Sequence, residues 1–165
     1  MTPGLVYDIA PSDYEASLCT IGYTETQMKL FVKDGRKVDC DSVRLSGPGD
    51  LNYPSFSVVF ESGRTQTVKY KRVVTNVGTS ADAVYKIRIR SQTPYVKIRV
   101  SPAKLVFSNG ITSLPYEITF ESSGPTNLKK AFGSIEWYDG VHVVSSPIAF
   151  VWGTATTSTS LVSFV

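Results

Sequence analysis

The stretch Asp50-Leu-Asn-Tyr-Pro-Ser-Phe56 is followed, after one candidate strand, by Arg72-Val-Val-Thr-Asn-Val-Gly78, and these two stretches decide how the fold is predicted. From about Pro54 onward, apolar and polar residues alternate with the period of a β-strand. Because turn residues separate the candidate strands and no helical pattern lies between them, we expect an all-β fold, a seven-stranded antiparallel sandwich of two sheets. The predicted strands lie near residues 55–60, 67–77, 83–90, 95–100, 113–121, 131–138 and 141–151.

Two of the turns have residues that indicate their geometry. Asp139-Gly140 stands between two apolar runs and predicts a β-hairpin with a two-residue loop. Asn76-Val77-Gly78 predicts the end of a strand, since Asn and Gly readily adopt the backbone angles of a turn.

Residues 1 to about 45 follow another pattern, which predicts a short helical segment before the sandwich. Ser12 with Glu15, and Thr24 with Gln27, have the spacing of a capping box, in which the two side chains satisfy backbone N–H groups at a helix start. Two short helices can bury little apolar surface by themselves. The segment is therefore predicted to be the end of a larger unit.

Composition excludes some classes of protein. Hydrophobic residues make up 42% and charged residues 19% of the chain, which is typical of a globular domain. No apolar run reaches the length of a membrane-spanning helix, so we predict no contact with a membrane. Met1 is followed by Thr-Pro-Gly rather than by a basic and then an apolar region; this predicts no signal peptide, and a cytoplasmic chain if it is expressed as it stands.

Basic residues recur at every second position in two predicted strands. Each set lies on one face of its strand, either as a solvated outer face or as a site for a polyanion. Aromatic residues do not interleave with them as a base-stacking platform requires, so we predict no nucleic-acid partner. The sets are Lys86, Arg88 and Arg90, then Lys97 and Arg99, with Lys69, Lys71 and Arg72 in a third group.

The only histidine, His142, is the one candidate for acid–base chemistry. Asp139 and Ser145 or Ser146 are close to it in sequence, and a triad can be imagined. Neighbouring residues of a strand point to opposite faces, however, which favours a structural role for His142. Sequence motifs for a nucleophile elbow, a phosphate loop or a metal site are also absent, so we predict no catalytic, cofactor-binding or metal-binding residues.

Two pairs of residues leave alternatives open. Trp137 and Trp152 could stack on carbohydrate, although their apolar strands favour burial in the core. Cys19 and Cys40 could form one disulfide that stabilises the fold by about 3 kcal/mol in the chain-entropy model, but their redox state does not follow from the sequence.

Several motifs resemble one family in chain order. The run Pro3-Gly-Leu-Val-Tyr-Asp-Ile9 resembles the tail of the catalytic domain of plant subtilisin-like serine proteases (subtilases, cucumisin-like). Asp50–Phe56, Arg72–Gly78, Val100-Ser-Pro102 and Ser146-Pro-Ile148 resemble the C-terminal fibronectin III-like domain of these enzymes. The resemblance implies two parts, a catalytic-domain remnant at 1–45 and a fibronectin type III-like domain at 50–152. The low-complexity run that begins at Gly153 predicts a disordered tail at 153–165.

The resemblance also implies a function. The catalytic triad of the family lies upstream of the matching region, so this chain is expected to be no enzyme by itself and to have a serine endopeptidase as its parent. The sandwich is expected to stabilise the peptidase domain, its partner in cis or in trans, and to shape substrate access. An independent extracellular binding or adhesion module that recognises a protein or an anionic cell-wall polysaccharide is the alternative.

The family is secreted, which implies an extracellular location in the apoplast or cell wall and an oxidised Cys19–Cys40 pair. Met1 falls inside the family's catalytic domain, which suggests a truncated product, a partial gene or a fragment. Apolar residues within 5–31 would then lack their packing partners, and we expect residues 1–45 to be mobile or to self-associate. These residues are Leu5, Val6, Tyr14, Leu18, Ile21, Met28 and Phe31.

Overall fold

A computed structural model describes residues 3–124 and 127–153. The helices in this part of the chain are α1 (Pro11–Thr20), α2 (Glu25–Met28), α3 (Cys40–Val43) and a 3₁₀ turn (Pro48–Asp50). The strands are β1 (Leu5–Val6), β2 (Phe56–Glu61), β3 (Thr65–Asn76), β4 (Ala83–Ser91), β5 (Val96–Ser101), β6 (Lys104–Phe107), β7 (Ser113–Ser123), β8 (Lys130–Tyr138) and β9 (Val143–Gly153). Apart from Gly153, which ends β9, the tail predicted at 153–165 lies outside the described residues.

The strands form two facing sheets, as predicted. One sheet has the order β1-β3-β7-β5 and the other the order β2-β9-β8-β4-β6. The predicted number of seven strands is wrong, because β1 and β6 are too short to show a clear alternating pattern. The prediction of an antiparallel sandwich is wrong at one place: β2 pairs in parallel with β9, which a tertiary contact between distant strands decides.

The core lies between the sheets and is rich in aromatic residues. On β2 the alternating residues Phe56, Val58 and Phe60 are buried, while the residues between them face solvent. Trp137 and Trp152 are 0% and 3% exposed, so the prediction that they belong to the core is confirmed and neither can stack on carbohydrate.

The hairpin at Asp139-Gly140 forms as predicted, but its loop is longer. Tyr138 pairs with Val143, which leaves residues 139–142 as a four-residue loop. The Asp139 carboxylate accepts hydrogen bonds from the backbone N–H groups of Val141 and His142 at 2.8 and 2.6 Å. These bonds stabilise the wider loop.

The helical segment confirms one predicted helix start and corrects the other. At α2, Gln27 N–H donates to Thr24 Oγ1 and Thr24 N–H donates to Gln27 Oε1. Helix α1 begins at Pro11, since proline is well suited to a first helical position, and its cap residue is Ala10 rather than Ser12. Helix α3 was not predicted.

The same segment has a small core of its own. The Sγ atoms of Cys19 and Cys40 are joined in a disulfide that links α1 to α3. Met28, Val32 and Val38 are buried around it. This cluster is separate from the core of the sandwich.

Candidate docking surface

The two sequence motifs that decide the fold bind each other. The Asp50 carboxylate accepts a hydrogen bond from Lys71 N–H at 3.0 Å. The Asn52 amide accepts one from Val73 N–H at 2.8 Å and donates to the carbonyl oxygens of Val73 and Asp8 at 2.9 and 3.0 Å. Asn52 therefore ties the loop before β2 to β3 and to the N-terminal segment at once.

Arg72 lies at the centre of this arrangement and is only 4% exposed. Its guanidinium donates hydrogen bonds to the carbonyl oxygens of Tyr53, Gly49 and Lys71 at 2.9, 2.6 and 2.7 Å. It also stacks 4.6 Å from the centre of the Phe56 ring. Burial lowers the pKa of the guanidinium from its ordinary value, so the bound carbonyl oxygens stabilise a poorly solvated charge. Arg72 is thus a structural residue and does not belong to a solvated basic set.

A groove of 760 Å³ lies beside this arrangement, on the outer side of the β3–β7 pair. Leu51, Val73 and Pro115 supply apolar surface to it. Its acidic residues Asp8, Asp13, Asp50 and Glu117 each bind a group of this same chain. The acidic side chains of the groove are therefore occupied by contacts within this chain.

The helical segment contributes to the groove and also exposes large apolar side chains. Asp13 and Leu45 of the segment line the groove, and Leu30 is 78% exposed. The other large apolar side chains exposed on the segment include Tyr14, Ile21 and Phe31. Isolated exposed apolar residues are normal, whereas apolar side chains that form a contiguous patch are typical of an interaction surface.

Three residues expected on this exposed face pack within the chain instead, and one of them, Leu18, lies against the disulfide cluster. Leu5 is 2% exposed in the core of the sandwich, because β1 pairs with β3. Met28 is buried against the disulfide. The expectation that they lack packing partners in this chain is therefore wrong, whereas Tyr14, Ile21 and Phe31 are exposed as predicted.

The basic residues do not form one surface. Arg88 and Arg90 of β4 both contact Glu136 at 3.2 and 3.1 Å in the five-stranded sheet. Arg99 of β5 contacts Glu121 at 2.7 Å in the other sheet. Since the two sets lie on opposite outer faces and each pairs with a carboxylate, the structure does not support a continuous site for a polyanion.

Comparison with known proteins identifies the sandwich. A sequence profile described as the fibronectin type-III domain matches residues 50–150, the part of the chain that forms β2 to β9. The chain belongs to the fibronectin type-III domain family. Residues 4–8, which also contact the sandwich, lie outside the matched part.

The chain is also similar to curated plant proteases. Subtilisin-like protease SBT1.4 from Arabidopsis thaliana is 49% identical over 93% of this chain and 20% of the protease. Subtilisin-like protease SBT3 from Solanum lycopersicum is 37% identical over 92% of this chain and 20% of the protease. The chain thus spans about a fifth of the length of these relatives. The predicted resemblance to the C-terminal fibronectin III-like region of plant subtilases is confirmed.

Likeness to solved structures is weaker. The FixG-related protein from Vibrio parahaemolyticus superposes with a TM-score of 0.43 at 10% identity, over 53% of this chain and 80% of that chain. A likeness this low supports no argument about function.

The residues considered for catalysis have separate structural roles. His142 Nδ1 lies 2.9 Å from Asp139 Oδ2 in the β8–β9 loop. Ser146 is buried, and its hydroxyl oxygen lies 2.8 Å from that of Tyr7. Ser145 is exposed on β9. The contact of His142 thus lies within the β8–β9 loop, whereas Ser146 joins β9 to the N-terminal segment.

Asp139 is held in its charged form. Burial opposes its ionisation, but hydrogen bonds from the His142 backbone and ring, from Val141 N–H and from the Tyr85 hydroxyl outweigh burial and keep the pKa of the carboxyl well below its ordinary value. Burial and the Asp139 charge raise the pKa of Tyr85 to about 12. The loop carboxylate is therefore a structural anion at neutral pH.

Among residues 3–124 and 127–153, no group of three or more His, Cys, Asp or Glu side chains could hold a metal ion. None of the helices in the described ranges is long and apolar enough to cross a membrane.

Sequence reasoning did not predict the role of Arg72 and Asn52, whose side chains bind backbone groups of several segments. Arg72 was grouped with Lys69 and Lys71, and Asn52 had no assigned role. A signal was present for Arg72 but not for Asn52, because a charged residue at a core-facing position of a strand is expected to bind backbone groups. Their partners could not be named from the sequence, since they come from loops and strands far apart in the chain.

Proposed function

We propose that this chain is the non-catalytic C-terminal segment of a subtilisin-like serine endopeptidase. In this proposal, residues 1–45 are the end of the peptidase domain, and the fibronectin type-III domain at 50–152 stabilises that domain and shapes substrate access. The similarity to plant subtilases over nearly the whole chain, at only a fifth of their length, supports an origin as part of a larger enzyme.

The exposed apolar side chains of the helical segment are the observation that carries the proposal. The segment has its own core, tied by the Cys19–Cys40 disulfide, so it presents Tyr14, Ile21, Leu30 and Phe31 from an ordered base. Apolar side chains held in place lose little conformational freedom when a partner covers them. A peptidase domain that packs on this face would bury them.

The cellular setting follows from the same proposal. The resemblance to plant subtilases implies a secreted protein, since members of that family are usually secreted. A disulfide is stable in the oxidising compartments through which secreted proteins pass. We therefore place the parent enzyme in the apoplast or cell wall. The disulfide between α1 and α3 is consistent with this location.

The test is binding between this chain and a separately expressed subtilase peptidase domain. We expect association, a higher thermal midpoint of the peptidase domain, and at least a tenfold loss of affinity for an Ile21→Asp, Phe31→Asp double variant, since a charge buried in an apolar interface is costly. Val59→Asp is the matched control, because Val59 is exposed on the five-stranded sheet. No association, or equal losses for both variants, would contradict the proposal.

Catalysis is assigned to the parent enzyme and not to this chain. We expect the purified chain to leave a fluorophosphonate serine probe unreacted, since no residue here matches a triad motif of the family. Stoichiometric serine labelling that disappears in His142→Ala would show that the chain has chemistry of its own.

A further inference from the structure

Residues 4–8 bind the fibronectin type-III sandwich although they lie well before residue 50, where the family match begins. They enter the sandwich as an added strand. Leu5 and Val6 pair antiparallel with Asn76 and Thr75 of β3, and Val77 N–H donates to the Gly4 carbonyl oxygen at 2.9 Å. Addition of an extended peptide to a sheet edge is a common form of peptide recognition, in which backbone hydrogen bonds give affinity and side-chain pockets give specificity.

Two side chains of the added strand reach into the sandwich. Leu5 is buried in the core between the sheets. The Tyr7 hydroxyl oxygen lies 2.7 Å from that of Tyr116 on β7 and 2.8 Å from that of Ser146 on β9. Because β7 and β9 belong to different sheets, the Tyr7 hydroxyl links the two layers.

Gly4 and Asp8, at the two ends of the added strand, also make specific contacts with the rest of the chain. Gly4 has φ +78°, and an added Cβ there would lie 2.8 Å from the Tyr85 hydroxyl oxygen and 2.9 Å from the His142 ring. Only glycine satisfies both the backbone angle and the close approach. Asp8 accepts a hydrogen bond from Asn52 through its carbonyl oxygen and one from Thr75 through its carboxylate.

We propose that the fibronectin type-III sandwich contains a strand-accepting site specific for peptides of the form Gly-Leu-x-Tyr-Asp. In this chain the site is filled by the chain's own residues 4–8. The occupant contacts β3, β7, β9 and the β8–β9 loop, so recognition does not depend on its covalent connection to the helical segment. The sandwich is thus completed by a peptide from outside the part that the family profile matches.

The test uses the full chain with a protease recognition site inserted between Ile9 and Ala10. After cleavage we expect the N-terminal peptide to remain bound through gel filtration. A fluorescein-labelled synthetic peptide, Pro-Gly-Leu-Val-Tyr-Asp-Ile, should exchange into the cleaved protein and bind the intact protein at least tenfold more weakly, because the site of the intact protein is occupied.

Peptide variants test the specificity. The peptide with Tyr7→Phe should bind roughly tenfold more weakly, since two hydroxyl groups lose their partner. Gly4→Ala should abolish detectable binding. Pro3→Ala is the matched control and should bind like the native peptide, because Pro3 is exposed.

Loss of the native peptide while the fluorescence of the two buried tryptophans stays unchanged would overturn the proposal. So would equal binding of the Gly4→Ala peptide. If the cleaved protein unfolds when its peptide leaves, refolding on addition of the native peptide supports the proposal, and failure to refold in excess peptide contradicts it.

Discussion

Arg72 and Asn52 show how single polar residues hold the surface loops of this fibronectin type-III domain. The planar guanidinium binds four carbonyl oxygens that face it from different directions. The Asn52 amide uses both its oxygen and its nitrogen, and it joins segments that are far apart in sequence. The hydrogen bonds of Arg72 are the costlier ones to lose, because its side chain is buried and holds a charge away from water.

We predict that Arg72→Lys lowers the free energy of unfolding by about 2–4 kcal/mol. An ammonium group cannot reproduce the fork of donors or the stacking on Phe56. Urea unfolding followed by tryptophan fluorescence measures the change. The neighbouring Lys71→Gln is the control and should stay within about 0.5 kcal/mol, because the Lys71 side chain is exposed. Equal effects of the two changes would refute this role for Arg72.

The lowered pKa of the Asp139 carboxyl predicts that the stability of the fold depends on pH. The pKa of this carboxyl is lower in the folded protein than in an unfolded chain, where an aspartate has a pKa of about 3.9. Its contribution is therefore fully present above about pH 4 and is lost as the pH falls toward the folded pKa. Asp139→Asn should destabilise the protein by about 1–2 kcal/mol at pH 7, and the difference from wild type should shrink at lower pH.

Urea midpoints at neutral and acidic pH measure this difference. Asp82→Asn is the control, since Asp82 is exposed in the β3–β4 connection and no comparable set of hydrogen bonds holds it. A constant difference between Asp139→Asn and wild type across the pH range would show that the carboxylate charge does not stabilise the loop.

At the scale of elements, the helical segment depends on its disulfide far more than the sandwich does. Its core consists of the two bonded cysteines with Met28, Val32 and Val38, which is too little buried apolar surface to offset the chain entropy of three short helices. The sandwich has a large aromatic core of its own.

We therefore predict an intramolecular Cys19–Cys40 disulfide in secreted material and free thiols in protein kept in the cytosol. Reduction, or replacement of both cysteines by serine, should increase hydrogen exchange across residues 11–43 by at least tenfold. The tryptophan fluorescence should not change, since both tryptophans lie in the sandwich. Two free thiols in apoplastic protein, or loss of the sandwich signal on reduction, would contradict this prediction.

At the scale of the whole molecule, the N-terminal residues divide into two groups. Residues 4–8 belong physically to the sandwich, while the exposed turn residues 33–37 lie in the loop that the disulfide closes. We predict that the amide groups of Val6 and Val77 exchange as slowly as those of central β3, and that residues 33–37 exchange within seconds.

Hydrogen exchange with mass spectrometry tests this division. If the backbone amides of residues 4–8 exchanged as fast as those of residues 33–37, we would conclude that the N-terminal strand is not a stable part of the sandwich. Equal protection of the helical segment and the sandwich in a monodisperse monomer would weaken the proposal that the segment awaits a partner.

The alternating pattern after Pro54 determined by itself that the protein is a two-sheet β-sandwich, because alternation assigns each side chain to the core or to solvent before any partner strand is known. Capping residues likewise determined where α2 begins. These features depend on residues close together in sequence, and for this reason they could be predicted.

Only the tertiary structure decided which distant groups meet. The parallel pairing of β2 with β9, the burial of Arg72 and the entry of Leu5 and Tyr7 into the sandwich all join segments that are far apart in the chain. Side chains such as Tyr7 are compatible with several surroundings, and their partners are selected by packing and hydrogen bonding across the whole core. The strand-accepting site is therefore a property of the assembled sandwich, because no single stretch of sequence contains it.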